Sequence, residues 1–118
     1  MAEFREKGSV LTYYASIHMA GSIEAAKDLI QLWVLRGACV QVTPCDYIYT
    51  GGREAGFVAR MINYPRFPKE ESEIFLEAEA LGNHLATLLG QLSFTIERPG
   101  VTAYYEREGF SKQPEVKK

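Results

Sequence analysis

The stretch "IYTGGREAGF", Ile48 to Phe57, holds the residue types most able to bind something. Gly51 and Gly52 could leave backbone amides exposed beside the Arg53 guanidinium. Amides and a guanidinium together suit a carboxylate or phosphate. Arg60 could join them if its strand faces that way, while Glu54 could equally neutralise Arg53. The spacing is neither of the two common phosphate signatures. No Lys-Ser/Thr follows the last glycine, and the GxGxxG spacing of a dinucleotide site is absent. The plain alternative is a hairpin turn that needs a positive φ at Gly51 or Gly52.

A second group of residues carries hydroxyls and one imidazole. Alternation from Val10 sends Leu11, Tyr13, Ala15, Ile17 and Met19 one way. Thr12, Tyr14, Ser16 and His18 go the other way, as in a half-buried strand. If helices cover only one sheet face, Tyr14, Ser16 and His18 lie on the other. Tyr47, Tyr49, Thr95 and Tyr104 are expected there too. Such a face can stack a planar ligand, bind single-stranded RNA, which the net negative charge disfavours, or pack on a second sheet. His18 is a possible acid/base, with Cys45 and Asp46 as further enzyme candidates, but spacing assigns no partner carboxylate. Glu77 and His84 lie about 10 Å apart along a helix, too far to chelate one metal easily. In "NYPRFP", Arg66 sits on a loop stiffened by prolines and so forms a low-entropy binding element. No metal or cofactor is expected.

The elements that must position these residues are legible in outline. Ser22 is a good N-cap, and Ile23 to Arg36 reads as a helix that Gly37 ends. This helix carries more apolar residues than one core stripe needs, so part of it should be covered, for example by another subunit. "ACVQVTPCDYIYT" reads as a strand whose Pro44 demands an edge or a bulge. "TGGREAG" is a connection of about five residues, and "FVARMINY" is the next strand. Pro68 fits the first position of a second helix that runs to about Leu89. Ile74, Ala78, Leu81, Leu85 and Leu88 form its buried stripe. "QLSFTIE" and "VTAYYER" are the last two strands.

The run strand–helix–strand–strand–helix–strand resembles the ferredoxin-like pattern, an α+β sandwich with an antiparallel sheet and two helices on one face. A further C-terminal strand is added. The resemblance covers roughly residues 9–97. The segment "YIYTGGREAGFVARMINYPRFP" also resembles segments of small uncharacterised bacterial and bacteriophage proteins, which implies no activity. Residues 1–8 are expected to be flexible, 9–108 to form one domain, and 109–118 to be a frayed tail.

The 118 residues carry a net charge of −2 and two cysteines, 47% of them being hydrophobic. That bounds the chain to one domain with a core of its own. It argues against a broad grip on nucleic acid. On one strand Cys39 and Cys45 would lie roughly 20 Å apart, well outside the ~7 Å of a disulfide. No apolar run reaches the length of a membrane span, and no signal peptide is read, so the cytoplasm is expected. The expected function is a homo-oligomeric binder of a small anionic ligand, held near the "TGGREAG" turn at a subunit boundary. Gly51, Gly52, Arg53, Arg60, Tyr49, Tyr47, Tyr14, His18 and Arg66 are its candidate residues. The alternatives are a small enzyme with a cavity between dimerised subunits, and an interaction subunit with no ligand.

Overall fold

The computed structural model describes residues 2–109. The expected tail beyond Gly109 lies outside the described residues, as does Met1. The element order is β1 (Tyr14–Ala20), α1 (Ile23–Trp33) with a short 3-10 extension (Val34–Arg36), β2 (Gln41–Tyr49) and β3 (Gly52–Ile62). Then come α2 (Glu71–Leu88), β4 (Ser93–Arg98) and β5 (Val101–Glu106). The strands form one five-stranded sheet in the order β2-β3-β1-β4-β5, antiparallel throughout. The βαββαβ core is ferredoxin-like, and β5 extends it at the β4 edge. β2 is the opposite edge, where the missing N–H of Pro44 is tolerated.

Both helices pack on one face. Ala15, Ile17 and Met19 of β1 point into it, as do Phe57, Ala59 and Met61 of β3 and Phe94 and Ile96 of β4. Ala26, Ile30 and Trp33 of α1 and Ile74, Ala78, Leu81 and Leu85 of α2 close the core from above. Ser22 Oγ accepts the Ala25 N–H at 3.2 Å and starts α1. Gly37, in the left-handed region at φ 100°, ends the 3-10 turn.

Several expected boundaries move. β1 begins at Tyr14 rather than near Val10, and Leu11 is 79% exposed instead of facing the core. The Asn63 side chain reaches the Leu11 carbonyl at 3.0 Å, and Asn63 N–H reaches that of Tyr13 at 3.1 Å. These bonds hold the segment as an arm rather than as a strand. α2 begins at Glu71, not at Pro68: Glu73 accepts the Glu70 N–H at 3.3 Å and so sets the first turn three residues later. Leu88 falls on the solvent side of α2, while Gly82 and Ala86 join its buried face. The largest change is in the hairpin, where β3 starts five residues earlier than expected, at Gly52.

At the end of the sheet away from that hairpin, Lys69 ties several elements together. Its ammonium donates to both Glu77 carboxylate oxygens at 3.0 and 2.9 Å and to the Gly37 carbonyl at 2.9 Å. Its backbone takes Asn63 Oδ1 and the Tyr13 hydroxyl at 2.9 Å each. On the β5 side, Tyr105 stacks on Phe94 at 4.8 Å and donates to Glu79 Oε2 at 2.6 Å.

Gly82 gives a sharp test of this packing. In an exposed helix, Gly→Ala stabilises by roughly 1 kcal/mol. Here an added Cβ would lie 2.5 Å from the Phe94 ring, which is itself stacked on Tyr105. Gly82→Ala is therefore expected to destabilise by about 1–3 kcal/mol in a denaturant titration; a gain would refute the close helix–sheet approach. Burial, with the Glu79 hydrogen bond second, pushes the Tyr105 phenol up to about 12. Its folded value exceeds its unfolded one, so its share of stability is intact below pH 10 and is lost as pH rises towards 12. Tyr105→Phe should flatten the decline in melting temperature between pH 10 and 12.

Candidate functional site

Side chains on a strand alternate, so the core fixes what the other face presents. Tyr14, Ser16 and His18 of β1 lie on the face without helices. Cross-strand pairing puts Val58 and Arg60 beside them on one flank, and Thr95 and Glu97 on the other. Cys45, Tyr47 and Tyr49 of β2 and Tyr104 of β5 complete the face. The expected set of hydroxyls and imidazole is therefore on one surface. Ser16 is 3% exposed, flanked by Arg60 and Glu97.

The two glycines that open "GGREAG" do different work, and the third does something else again. Tyr49 pairs with Gly52, so the turn contains only Thr50 and Gly51. Gly51 has φ 87°, the positive value a type II turn demands at its third position. Gly52 and Gly56 instead make room. A Cβ on Gly52 would lie 2.7 Å from the Tyr49 ring. A Cβ on Gly56 would lie 2.4 Å from the Met19 carbonyl and 2.7 Å from the Tyr47 ring. The tyrosines of β2 lie across β3 where β3 has no side chain.

That seat brings Tyr47 to His18. The two rings meet edge-on at 6.1 Å, and Tyr47 Oη lies 3.2 Å from His18 Nδ1 and 3.1 Å from the Phe57 carbonyl. His18 Nε2 lies 3.0 Å from Glu97 Oε1. Burial, with the Cys45 side chain second, holds the Tyr47 phenol well above its ordinary range, so it keeps its proton. Beside this network is a cavity of about 340 Å³. Its walls are His18, Met19 and Ala20 from β1, Tyr47 and Glu54 from the hairpin, the Gly90–Leu92 loop, and Ser93, Phe94 and Thr95 of β4.

The other candidates are dispersed. Arg53 pairs across from Ile48, on the helix side of the hairpin, and does not line this cavity. Arg60 stacks over Tyr14 at 4.4 Å, further along the open face. Arg66 is exposed in the loop at the opposite end, near the 5.3 Å contact between Tyr64 and Phe67. Gly51 and Tyr49 are at the hairpin tip. Cys45 shares the open face with His18, whereas Asp46 falls on the helix side. Among the described residues, no group of three or more His, Cys, Asp or Glu could hold a metal ion, and no helix is long and apolar enough to cross a membrane.

Glu54 in the cavity wall and Glu97 beside His18 are additions to the candidate set that the sequence alone does not offer. Glu54 looked like a neutraliser of Arg53, its neighbour in sequence. Once β3 begins at Gly52, alternation sends the two to opposite faces and places Glu54 directly across from Tyr47. Glu97 follows Thr95 on the open face of β4, a signal present in the alternation. Only the register of β4 against β1 brings it to His18.

No family model matches the chain, and no curated protein matches it. Among solved structures, a phage SAM lyase in its apo state has the same fold. The TM-score is 0.63 and the identity 16%, covering 94% of this chain and 99% of that chain. The phage SAM lyase in complex with S-methyl-5′-thioadenosine gives a TM-score of 0.62 and 15% identity, over 92% of this chain and 100% of that one. The likeness is one of fold, and it agrees with the bacteriophage resemblance of the hairpin segment.

Two glycine substitutions separate turn from seat. Gly51→Ala meets no atom within 4 Å but is strained at φ 87°. It is expected to cost about 1 kcal/mol and leave the His18–Tyr47 contact in place. Gly56→Ala is expected to lose about 1–3 kcal/mol and to displace Tyr47 from His18. Thermal melts and the histidine side-chain NMR signals check both. An undisturbed His18 in Gly56→Ala would show that the tyrosine does not depend on this seat.

Proposed function

We propose that the cavity beside His18 and Tyr47 takes an adenosine thioether or sulfonium, and that the protein is a lyase acting on S-adenosylmethionine. One observation carries this: the fold coincides, over nearly the full length of both chains, with a chain that holds S-methyl-5′-thioadenosine. The cavity volume, about 340 Å³, falls at the lower end of the usual range for small-ligand sites, roughly 300–1,000 Å³. Leu92, 42% exposed, offers apolar surface for a base, and Ser93, Thr95 and Tyr47 offer hydroxyls for a ribose.

Charge favours a cation. The expectation of an anionic ligand rested on Arg53, which is not in the cavity wall; Glu54 is. A sulfonium carries a fixed positive charge that a carboxylate attracts. In the lyase reaction the bond between sulfur and the γ-carbon of the amino-acid portion breaks. Sulfur keeps the electron pair and becomes the neutral thioether. The same fragment's carboxylate attacks that carbon as the sulfur leaves and closes a lactone, with no proton moved. Alternatively, the neighbouring carbon loses a proton to a base and an alkene forms. Either way no water is consumed, and Glu54 interacts with the charged substrate more than with the neutral product.

The reading includes a homo-oligomer. Leu32 and Leu35 at the end of the first helix, 68% and 80% exposed, and Ile48 on the hairpin support it, being apolar surface that a monomer would leave in water.

Incubation with S-adenosylmethionine should release S-methyl-5′-thioadenosine, identified by mass spectrometry together with the partner fragment. Glu54→Gln is expected to raise KM at least about tenfold while changing S-methyl-5′-thioadenosine affinity by no more than about twofold, because only the substrate is charged. No cleavage and no binding of S-methyl-5′-thioadenosine at millimolar concentration would reject the lyase. A bare monomer in native mass spectrometry would reject the assembly.

A further inference from the structure

We infer that His18 is a positioning residue: Glu97 holds its ring so that it fixes the Tyr47 hydroxyl at the cavity wall, and it does not exchange a proton with the ligand. Only the choice of ligand rests on the lyase reading. A histidine at a cavity is the usual first suspect for general acid/base work, and here the geometry removes it from that role.

Protons and lone pairs can be counted. Glu97 Oε1, 3.0 Å from Nε2, belongs to a carboxylate, which when ionised only accepts. Nε2 therefore carries a hydrogen. Tyr47 Oη has a single proton and two neighbours, the Phe57 carbonyl at 3.1 Å and His18 Nδ1 at 3.2 Å. If the phenol donates to the carbonyl, Nδ1–H donates to the phenol oxygen and the ring is an imidazolium. If the phenol turns to Nδ1, the ring is neutral with its proton on Nε2. Neither arrangement leaves a ring lone pair for a substrate proton, and in both every ring N–H is directed at Tyr47 or Glu97, so the ring presents neither a free acceptor nor a free donor to a ligand.

The same contacts show what His18 does instead. Gly56 fixes the height of the Tyr47 ring above the sheet, because any Cβ there would lift it. That leaves the hydroxyl direction to be set, and His18 and the Phe57 carbonyl set it. Glu97 comes from β4, His18 from β1 and Tyr47 from β2. A carboxylate from one flank of β1 thus orients a phenol that reaches in from the other flank, on the same face of the sheet, through the ring between them. Tyr47 faces the cavity with a hydroxyl that is aimed before any ligand arrives, which lowers the ordering cost of binding.

Two measurements test this. The first needs no ligand. The sequence has two histidines, so His84→Gln assigns the imidazole 15N signals to His18. Expected are a protonated, hydrogen-bonded Nε2 that Glu97→Gln perturbs and an Nδ1 signal that Tyr47→Phe moves. An Nε2 lone pair open to solvent, or an Nδ1 blind to Tyr47→Phe, overturns the assignment. The second is a double-mutant cycle on S-methyl-5′-thioadenosine affinity, measured by calorimetry. His18→Ala and Tyr47→Phe are each expected to weaken binding roughly threefold to tenfold, the span of one hydrogen bond. The double variant should bind no worse than Tyr47→Phe alone. His18→Asn, whose side-chain amide can still reach the phenol, should recover most of the loss. Additive losses overturn the positioning role. If the unsubstituted protein does not bind S-methyl-5′-thioadenosine, the ligand reading fails, and the ligand-free spectra still decide the role of His18.

Discussion

Burial of Ala15, Ile17 and Met19 beneath two helices is the constraint on which the rest depends. β1 is the central strand, and its register against β3 and β4 is fixed by matching those three residues to Met61, Ala59, Phe57 and Ile96. A slip of one residue would send His18 into the core and Ile17 into water. The cost of that slip, several buried side chains, is what holds His18 opposite Val58 and Thr95. The open face is thus a by-product of the core: its residues are placed by their neighbours' hydrophobicity.

The hairpin solves a different problem. β3 is longer than β1 covers, so Gly52–Glu54 pair only with β2 and extend past the sheet, while the Ala55 carbonyl still takes the Gly21 N–H at 3.1 Å. An extension with large side chains on both strands would hold its tyrosines upright. Gly52 and Gly56 let them lie flat, and Tyr47 reaches inward across β3 to β1 as a result. At the far end Lys69 gathers β3, the 3-10 turn and α2 into one knot, so the two ends of the sheet are built on opposite principles. One end is tied by charge and amide bonds. The other leaves space.

The elements, their order and the two faces could be read from the sequence because they rest on local periodicity. Alternation in β1 and the helical spacing of Ile74, Ala78, Leu81 and Leu85 carry their own evidence. The site was harder. Three glycines in seven positions look like a loop, because glycine is usually there for its backbone freedom. At Gly52 and Gly56 it is there for its missing side chain, which depends on a tyrosine from another strand. That misreading moved the start of β3, and with it the faces of Arg53 and Glu54. The pairing of His18 with Glu97 spans 79 residues of sequence and has no local trace.

The wall that carries Tyr47 is also an edge strand, with a neighbour on one side only. β2 has no second ladder to hold it, so its pairing with β3 is the one row of backbone bonds that keeps it in place. Local opening proceeds from such edges at a lower free energy than global unfolding. None of the buried core residues among those described comes from β2, although Val42 packs against them, whereas the cavity takes Tyr47 from it. On warming, then, the site should disassemble while the helices remain packed on the sheet. An open cavity and a folded core are then expected to have separate thresholds, and the interval between them is set by the grip of a single peripheral ribbon.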